Sequence, residues 1–365
     1  MVSINDLNAS RKLDHIRIVL NEDVEGPLTT WFEHVLIPHQ AYPPSPSRVD
    51  ITTVFLGKKI SAPIMITGMT GGAPGTEKIN ASLAEAAEEI GIPMGVGSQR
   101  AALENPQLEY TFRIVRERAP SIPIVANIGA AEAAKARLEI LEKAVSMIEA
   151  DALAIHLNAA QEAVQPEGSP DFTGLLERIE EISDRLSVPV MIKEVGNGLS
   201  AEVAALFRRR GIKYFDVAGA GGTNWVLIEK IRAGEAGDDL KDNLARPFIG
   251  WGIPTAASII EVRSAAPDAT IVGSGGVRDP VHVVKALALG ADIAGFARPA
   301  LIHVIRGDLK EYLNAFIKGI SLAVSLAGFS SVNELRIKAR VVIKGELLEW
   351  VRQRGLSCTA CTHSI

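Results

Sequence analysis

Polar side chains that follow short apolar runs are the residues of this sequence best suited to chemistry. The run ALAIHLNAAQE (152–162) carries His156 and Asn158, which share a face if the run is a strand, and then Gln161 and Glu162. A single carboxylate beside phosphate groups is a typical Mg²⁺ ligand, but a glutamate at the start of a helix is equally common. His156 by itself is as often a hydrogen-bonded core residue as a functional one.

Lys193 lies at the end of another apolar run, PVMIKEVGNG (189–198). Its ammonium group is expected to face the same site as the polar residues of 152–162. A lysine in such a place needs a compensating group, and three interpretations stay open. It stabilises an anionic cofactor, it forms a Schiff base with a carbonyl substrate, or it only pairs with Glu194 or another carboxylate.

Three further polar segments are candidates for the same site. Asn127 ends the run PIVANIGA (123–130), and its amide can both donate and accept a hydrogen bond. The segment SQR (98–100) places three hydrogen-bonding side chains in succession. Arg11 and Lys12 are also candidates, although such a pair of cations is more often a solvated surface feature.

Glycine-rich loops supply the strongest single signal. GSGGVR (273–278) and GFARP (295–299) each combine glycine with an arginine, Arg278 and Arg298. Glycine permits backbone N–H groups to approach an anion closely, and arginine adds charge-assisted hydrogen bonds. One such loop could merely turn the chain, but two in succession predict a phosphate site.

Two more glycine-rich segments, TGMTGG (67–72) and GAGGTN (219–224), follow apolar runs elsewhere in the chain. Four such loops around one opening favour a large, flat, phosphorylated ligand over a small sugar phosphate. We therefore expect a nucleotide-like cofactor.

These residues need a scaffold that brings the ends of eight runs together. Short apolar runs separated by alanine-rich segments with helical spacing indicate buried parallel strands that alternate with helices. Eight units predict an α/β fold, a (β/α)₈ TIM barrel with its functional residues at the carboxyl ends of the strands. The eight runs are PIMITGMTGG (63–72), PMGVGSQR (93–100), PIVANIGA (123–130), ALAIHLNAAQE (152–162), PVMIKEVGNG (189–198), YFDVAGAGGTNW (214–225), TIVGSGGVR (270–278) and DIAGFARP (292–299).

The rest of the chain divides around this barrel. Residues 1–60 are expected to form an N-terminal arm and a barrel plug, in which a hairpin over 51–61 turns at Gly57 and closes the amino-terminal mouth. The barrel, with the cofactor and substrate site, is expected over 61–306. Residues 307–365 are expected to form C-terminal helices and a tail.

Two segments outside the strands carry further predictions. The stretch 231–248 contains glycine and acidic residues and is predicted to be a mobile excursion over the top face, where the lids of barrel enzymes lie. After the barrel, 309–354 is predicted to form two helices, and the second has an apolar stripe over 335–351. If that stripe is exposed, it favours a homo-oligomer, a tetramer or an octamer.

Composition excludes several classes of protein. The 365 residues are 47% hydrophobic and 22% charged with a formal net charge of −5, so the basic surface of a nucleic-acid-binding protein is not expected. No apolar stretch approaches the roughly 20 residues of a membrane span, and the polar start is unlike a secretory signal, so a cytoplasmic protein is expected. Cys358 and Cys361, with His363 nearby, are expected to lie in a frayed tail, without a disulfide framework.

In this order, the segments SRKLDH, TGMTGG, MGVGSQR, AIHLNAAQE, AGGTNW and GSGGVR, with the lysine of IKEVGNG, closely resemble the type II isopentenyl diphosphate isomerases. The resemblance extends from about residue 11 to residue 300. It implies an enzyme of isoprenoid biosynthesis that interconverts isopentenyl and dimethylallyl diphosphate, with reduced FMN as acid and base and no net redox change. It also implies Mg²⁺, and NADPH or NADH as the reductant of the flavin.

The resemblance also implies the roles of individual residues. Gln161, His156 and Lys193 would be catalytic, with Gln161 orienting or relaying a proton and Lys193 stabilising negative charge on the flavin; Glu162 would hold Mg²⁺. The chain departs from the family at Ala218, where serine is expected and alanine removes a hydroxyl contact to the flavin. FMN would contact Thr67, Gly68, Met69, Thr70, Ser98, Asn127, Lys193, Thr223, Gly276, Val277, Arg278, Ala297 and Arg298. The substrate would contact Arg11, Lys12, Ser98, Gln99, Arg100, His156, Asn158 and Gln161.

The nearest alternative is an FMN-dependent barrel oxidoreductase of the 2-hydroxy acid oxidase type. Those enzymes use a histidine at the barrel mouth that is followed by glycines and, late in the barrel, by an arginine, whereas His282 here falls inside a predicted helix. An aldolase that forms an imine on lysine and a non-catalytic ligand-binding barrel are the remaining alternatives.

Overall fold

A closed barrel of eight parallel strands forms the centre of the protein, which confirms the predicted (β/α)₈ fold. The computed structural model describes residues 4–165, 168, 170–358 and 360–361, with side chains from residue 11 onward. Each strand pairs with its neighbour in the chain, and the eighth pairs with the first, so that Gly295 lies opposite Met65. The strands are Ile64–Ile66, Met94–Gly95, Ile124–Gly129, Ala152–Leu157, Val190–Glu194, Tyr214–Asp216, Thr270–Ser274 and Ile293–Phe296.

The amino-terminal mouth of the barrel is closed by a hairpin, as predicted for 51–61. Its strands Thr53–Phe55 and Lys58–Ile60 pair in antiparallel register around Gly57, whose φ of 76° suits glycine. Phe55 and Ile60 are fully buried against side chains that point into the barrel, among them Met65 and Met191. Since this end is filled with apolar groups, ligands can enter only at the opposite, carboxyl end.

Helices surround the barrel and connect its strands. Their ranges are Ile4–Asn21, Thr76–Ile90, Arg100–Glu104, Tyr110–Arg118, Ala130–Lys135, Leu138–Met147, Ala159–Val164, Leu175–Arg185, Ala201–Arg208, Trp225–Glu235, Asp239–Ala245, Thr255–Ala265, Pro280–Leu289, Arg298–Arg306, Leu309–Leu326, Val332–Lys338 and Gly345–Gln353. No helix in the described part of the chain is long and apolar enough to cross a membrane.

The stretch 231–248, predicted to be a mobile excursion over the top face, is mostly helical. Its first residues continue the helix Trp225–Glu235, and a second helix, Asp239–Ala245, follows the turn at Gly237. Asp238 begins that second helix, because its carboxylate accepts the backbone N–H of Lys241. Gly237 and Asp238 therefore form a turn and a helix cap in this stretch.

The C-terminal region contains three helices within 309–354 rather than the two predicted. Residues 339–344 interrupt the second predicted helix, and their strand Val342–Ile343 pairs with Val35–Leu36. Of the four stripe residues, Leu335, Leu347 and Val351 are buried in the core of the same chain, and Val342, at 46% exposure, faces outward. The apolar stripe therefore packs internally and no longer argues for an oligomer.

The cysteines near the C-terminus are bonded to each other, which corrects the prediction of a frayed tail. Cys358 and Cys361 form a disulfide that closes a loop of four residues. Cys361 also pairs with Val341 in an isolated β-bridge and is buried. His363 lies outside the described residues.

Candidate active site

One cavity of about 480 Å³ opens at the carboxyl ends of the strands. With a single exception, the residues assigned by sequence to FMN, substrate or Mg²⁺ line it, although they come from positions 11 to 298. The exception is Gln99. The cavity residues that sequence did not assign to a ligand include His15, Glu25, Glu132 and Trp225.

The N-terminal helix Ile4–Asn21 brings Arg11, Lys12 and His15 to the cavity. Its apolar residues Ile18 and Val19 pack in a cluster with residues of the barrel helices, so the helix lies over the opening. Burial beside the Arg11 guanidinium lowers the pKa of Lys12 to about 7. Two cations held this close together indicate a site for an anion with more than one negative charge.

Gln99 lies inside the barrel wall and not at the cavity, which corrects its assignment to the substrate. Its side chain is fully buried. Its Nε2 donates to the carbonyl of Ala144 (2.8 Å), and its Oε1 accepts the backbone N–H of Asn127 (2.9 Å). Since both ends of the amide are engaged, Gln99 positions Asn127 instead of contacting a ligand.

Asn127 in turn fixes the protonation of His156. Asn127 Nδ2 must donate to the carbonyl of Val96 (3.0 Å), so its Oδ1 is the atom that faces His156 Nδ1 at 2.8 Å. The proton of a neutral imidazole therefore resides on Nδ1, and Nε2 is an acceptor. Burial, together with Lys12 and Lys193, lowers the pKa of His156 to about 3, so the ring stays neutral at physiological pH.

Gln161 is held by a buried carboxylate that the sequence analysis did not identify. Its Nε2 donates to Glu229 Oε1 (2.8 Å), which also contacts His15 Nε2 (2.9 Å). Burial alone would raise the pKa of Glu229, but hydrogen bonds from His15 and Gln161 and the Arg232 charge lower it to about 2. Because an ionised carboxylate only accepts, Gln161 donates through its Nε2 and keeps its oxygen as an acceptor, and His15 donates its Nε2 proton to Glu229.

Glu162 and Asn158 occupy adjacent turns at the start of the helix Ala159–Val164. Asn158 Nδ2 donates to Glu162 Oε1 (2.9 Å), and both side chains line the cavity. No cluster of three or more metal-binding side chains occurs among the described residues. One carboxylate fits Mg²⁺ that takes its other ligands from phosphate oxygens and water, as this ion usually does.

Lys193 pairs with Asp216 rather than with Glu194. Lys193 Nζ donates to Asp216 Oδ2 (2.8 Å), and the Ser274 hydroxyl donates to the other carboxylate oxygen. Glu194 Oε2 instead accepts the backbone N–H groups of residues 195–197, and burial raises the pKa of Glu194 to about 7. Lys193 therefore presents an ion-paired ammonium group to the cavity, which favours charge stabilisation over imine formation.

The loops after the last two strands carry a ready anion site. The backbone N–H groups of Gly276, Val277, Arg298 and Ala300 have no acceptor within the described part of the chain. The helix Arg298–Arg306 adds its positive amino-terminal end. Gly276 is needed for a close approach between loops, because a Cβ there would lie 2.2 Å from the carbonyl oxygen of Gly221. These backbone N–H groups could bind a phosphate by themselves, with no contribution from the side chains of the two loops.

Residues 67–70 and Ala218 line another part of the cavity. Thr70 Oγ1 is buried and has no hydrogen-bond partner within the described residues, as expected for an atom that meets a ligand. Gly68 packs so tightly on the carbonyl of Val96 that a side chain could not be accommodated. Ala218 also lines the cavity and has a φ of 35°, a conformation uncommon for alanine.

Comparisons with known proteins bear on the family and the fold of the chain. The model of the family described as FMN-dependent dehydrogenase matches residues 154–342. Mandelate oxidase with (S)-2-phenylpropionate is a similar solved structure, with a TM-score of 0.60 and 17% identity over 92% of this chain and 97% of that chain. At that identity the similarity shows the fold alone.

Curated relatives are more informative. The isopentenyl-diphosphate delta-isomerase of Ignicoccus hospitalis is 50% identical over 95% of this chain and 97% of its own length. The enzymes of the same name from Sulfurisphaera tokodaii and Aeropyrum pernix are 50% and 44% identical over 95% and 98% of this chain, and 95% and 96% of their own lengths. The chain therefore belongs to the FMN-dependent isopentenyl-diphosphate delta-isomerase family.

Proposed function

We propose that this protein interconverts isopentenyl and dimethylallyl diphosphate with FMN and Mg²⁺ as cofactors. One observation carries the proposal. A single cavity combines the cations of the N-terminal helix, the carboxylate of Glu162 and a separate phosphate site of open N–H groups. Two phosphate-binding regions on either side of one cavity match a phosphorylated cofactor beside a diphosphate substrate.

The residues around the cavity fit FMN. Its phosphate would bind the N–H groups of Gly276, Val277 and Arg298, and its ring would lie on residues 67–70 beside Lys193. Reduced flavin, when bound there, supplies the acid–base chemistry at the double bond without net oxidation. Lys193 offers positive charge to the ring, and Asp216 keeps that ammonium group in place.

Diphosphate binding is the task of Arg11, Lys12, Arg100 and Asn158, with Mg²⁺ held by Glu162. His156 is neutral and offers an acceptor at Nε2, so it receives a hydrogen bond in this site and does not contribute charge. This arrangement holds the short hydrocarbon chain at one place above the flavin site. A fixed position matters because an alkene is a very weak base and must be in contact with its acid.

The hydrocarbon part of the substrate would lie near Trp225 and Gln161. Trp225 lines the cavity and contacts the His15 ring edge to face at 5.0 Å between centroids. Addition of a proton to the terminal carbon leaves positive charge on the neighbouring tertiary carbon, which an indole face can stabilise. Gln161 lines the same cavity, and its amide oxygen would accept or orient the second proton.

His282 does not supply the base that the oxidase alternative requires. His282 lies in the helix Pro280–Leu289, where its ring packs on Phe32. It does not line the cavity. A histidine in that place could not remove a proton from a substrate at the barrel mouth.

We also propose the following. NADPH or NADH reduces the flavin, and the protein acts in the cytoplasm as a homo-oligomer. A reductant is needed because the proposed chemistry uses the reduced form of the flavin. The barrel unit 61–306 would carry the site, and the 1–60 unit would supply the diphosphate cations.

The proposal is tested on the purified protein. We expect a flavin absorbance spectrum that corresponds to about one FMN per chain. Isomerisation of isopentenyl diphosphate should require FMN, Mg²⁺ and a reductant, either NADPH or dithionite. Equal turnover without flavin, or no affinity for FMN, would contradict the proposal.

Substrate affinity should depend on pH through Lys12. Its pKa is about 7 in the free protein, and a bound diphosphate favours the charged form and raises the pKa. Above pH 7, binding must then take up a proton, so we expect KM to rise by up to about tenfold per pH unit while kcat changes little. Lys12→Arg stays charged and should remove this dependence. If KM of K12R rises with pH as steeply as in the wild type, the pH dependence belongs to another group.

A further inference from the structure

One carboxylate contacts both arginines of the two phosphate loops. Glu25 Oε2 lies 2.6 Å from Arg278 Nη2, and its Oε1 lies 3.2 Å from Arg298 Nη1. Both arginines also donate to backbone carbonyls: Arg278 to Gly276 and Gly221, Arg298 to residues of the N-terminal segment. Their guanidinium groups are therefore largely occupied by protein acceptors, and the backbone N–H groups are left for the cofactor phosphate.

Glu25 belongs to the segment that follows the N-terminal helix. Its backbone pairs with Thr223, and Asn224 N–H donates to the carbonyl of Val24 (2.8 Å). Arg298 donates to the carbonyls of Val19 (3.2 Å) and Glu22 (3.3 Å), at the carboxyl end of the helix Ile4–Asn21. The same helix carries Arg11 and Lys12. The cations that bind diphosphate are thus attached to the loops that bind the cofactor phosphate.

We propose that Glu25 is a positioning residue that couples the binding of FMN to the binding of diphosphate; this inference rests on the proposed function. A phosphate on the N–H groups of Gly276 and Arg298 orders the two loops and the arginines that they carry. The ordered arginines hold Glu25, and Glu25 holds the helix with Arg11 and Lys12 over the cavity. The two anions then favour each other without contact, and the coupling is reciprocal.

The solvent exposure of the Glu25 ion pairs predicts that removing the Glu25 charge will affect ligand binding rather than stability. The Glu25 side chain is 37% exposed and that of Arg278 is 39% exposed. Ion pairs at such exposure contribute little to global stability, so removing the charge should leave the protein folded. The consequence should appear in ligand binding, and in the order of the N-terminal helix.

The experiment compares Glu25→Gln with Glu22→Gln as matched control. Glu22 is an exposed carboxylate on the same segment, and Arg298 contacts only its backbone carbonyl, which the control retains. Inorganic pyrophosphate is the probe, titrated at fixed Mg²⁺ into FMN-free and FMN-loaded protein. Neither titration requires turnover.

We expect FMN to tighten pyrophosphate binding about tenfold in the wild type and in E22Q, and less than twofold in E25Q. Hydrogen exchange over residues 11–25 should slow on FMN binding in the wild type but not in E25Q, and Glu25→Asp should restore part of the coupling. FMN affinity itself should change less than threefold.

Three outcomes overturn the inference: no coupling in the wild type, equal coupling in E25Q, or a loss of FMN affinity above tenfold in E25Q, which would place Glu25 in the cofactor site. These outcomes differ from a failure of the proposed function. In that case the wild-type protein would not bind FMN at all.

Discussion

Glu162→Gln is expected to lower kcat/KM for isopentenyl diphosphate by about 10³-fold, which corresponds to about 4 kcal/mol of transition-state stabilisation. Glutamine preserves the size of the side chain and its hydrogen bond from Asn158. It removes the negative charge that, in the proposed function, would hold Mg²⁺ against the diphosphate. Turnover should be measured over a Mg²⁺ titration, and the residual activity of the variant should no longer depend on the metal.

Glu132→Gln is the matched control, because Glu132 is a second carboxylate of the same cavity and contacts Arg100 (2.8 Å). The midpoint of the Mg²⁺ titration should be unchanged in E132Q. FMN absorbance should remain normal in both variants. Wild-type turnover with an unchanged metal requirement in E162Q would exclude the proposed role of Glu162.

Asp216→Asn is expected to lower the free energy of unfolding by about 3–5 kcal/mol, because it removes one partner of a buried ion pair. The side chains of Lys193 and Asp216 are only 11% and 3% exposed. Without the carboxylate, the Lys193 ammonium group has no compensating charge at that position, and Ser274 loses its ionised acceptor. Urea unfolding of the FMN-free protein measures the change without a contribution from the cofactor.

The double variant Lys193→Met with Asp216→Asn tests the cause. Once the lysine charge is also removed, most of the lost stability should return, since no buried charge is then left without a partner. If D216N loses less than about 1 kcal/mol, or if the double variant is no more stable than D216N, then the pair does not stabilise the fold in this way.

Most of the barrel was predictable because its signals are local. Each strand is a short apolar run, and parallel strands all end at one side of the sheet, so the residues after them had to meet. The glycine-rich loops at 273–278 and 295–299 were recognisable for the same reason. The family resemblance then supplied roles for residues that pattern alone left ambiguous, such as Lys193.

The unpredicted residues act through partners that are distant in sequence. Glu25 meets Arg278 across more than 250 positions, and Glu229 lies inside a helix that sequence alone assigns to packing. The pairing of Asp216 with Lys193 could in principle have been predicted. Asp216 ends the strand beside that of Lys193, and the strand register places the two residues opposite each other. Gln99 was misassigned since a residue after a strand can face the wall as well as the opening.

The hydrogen-bond chain from Val96 through Asn127 to His156 has a consequence for the chemistry. His156 and His15, two histidines of the cavity, are both uncharged at neutral pH. His156 presents the lone pair of its Nε2, and His15 donates its Nε2 proton to the Glu229 carboxylate. Neither can act as a strong Brønsted acid toward a hydrocarbon. Without its cofactor, the protein would therefore bind the substrate but not convert it. The contribution of the polypeptide to catalysis would be to align the substrate with the cofactor that donates the proton.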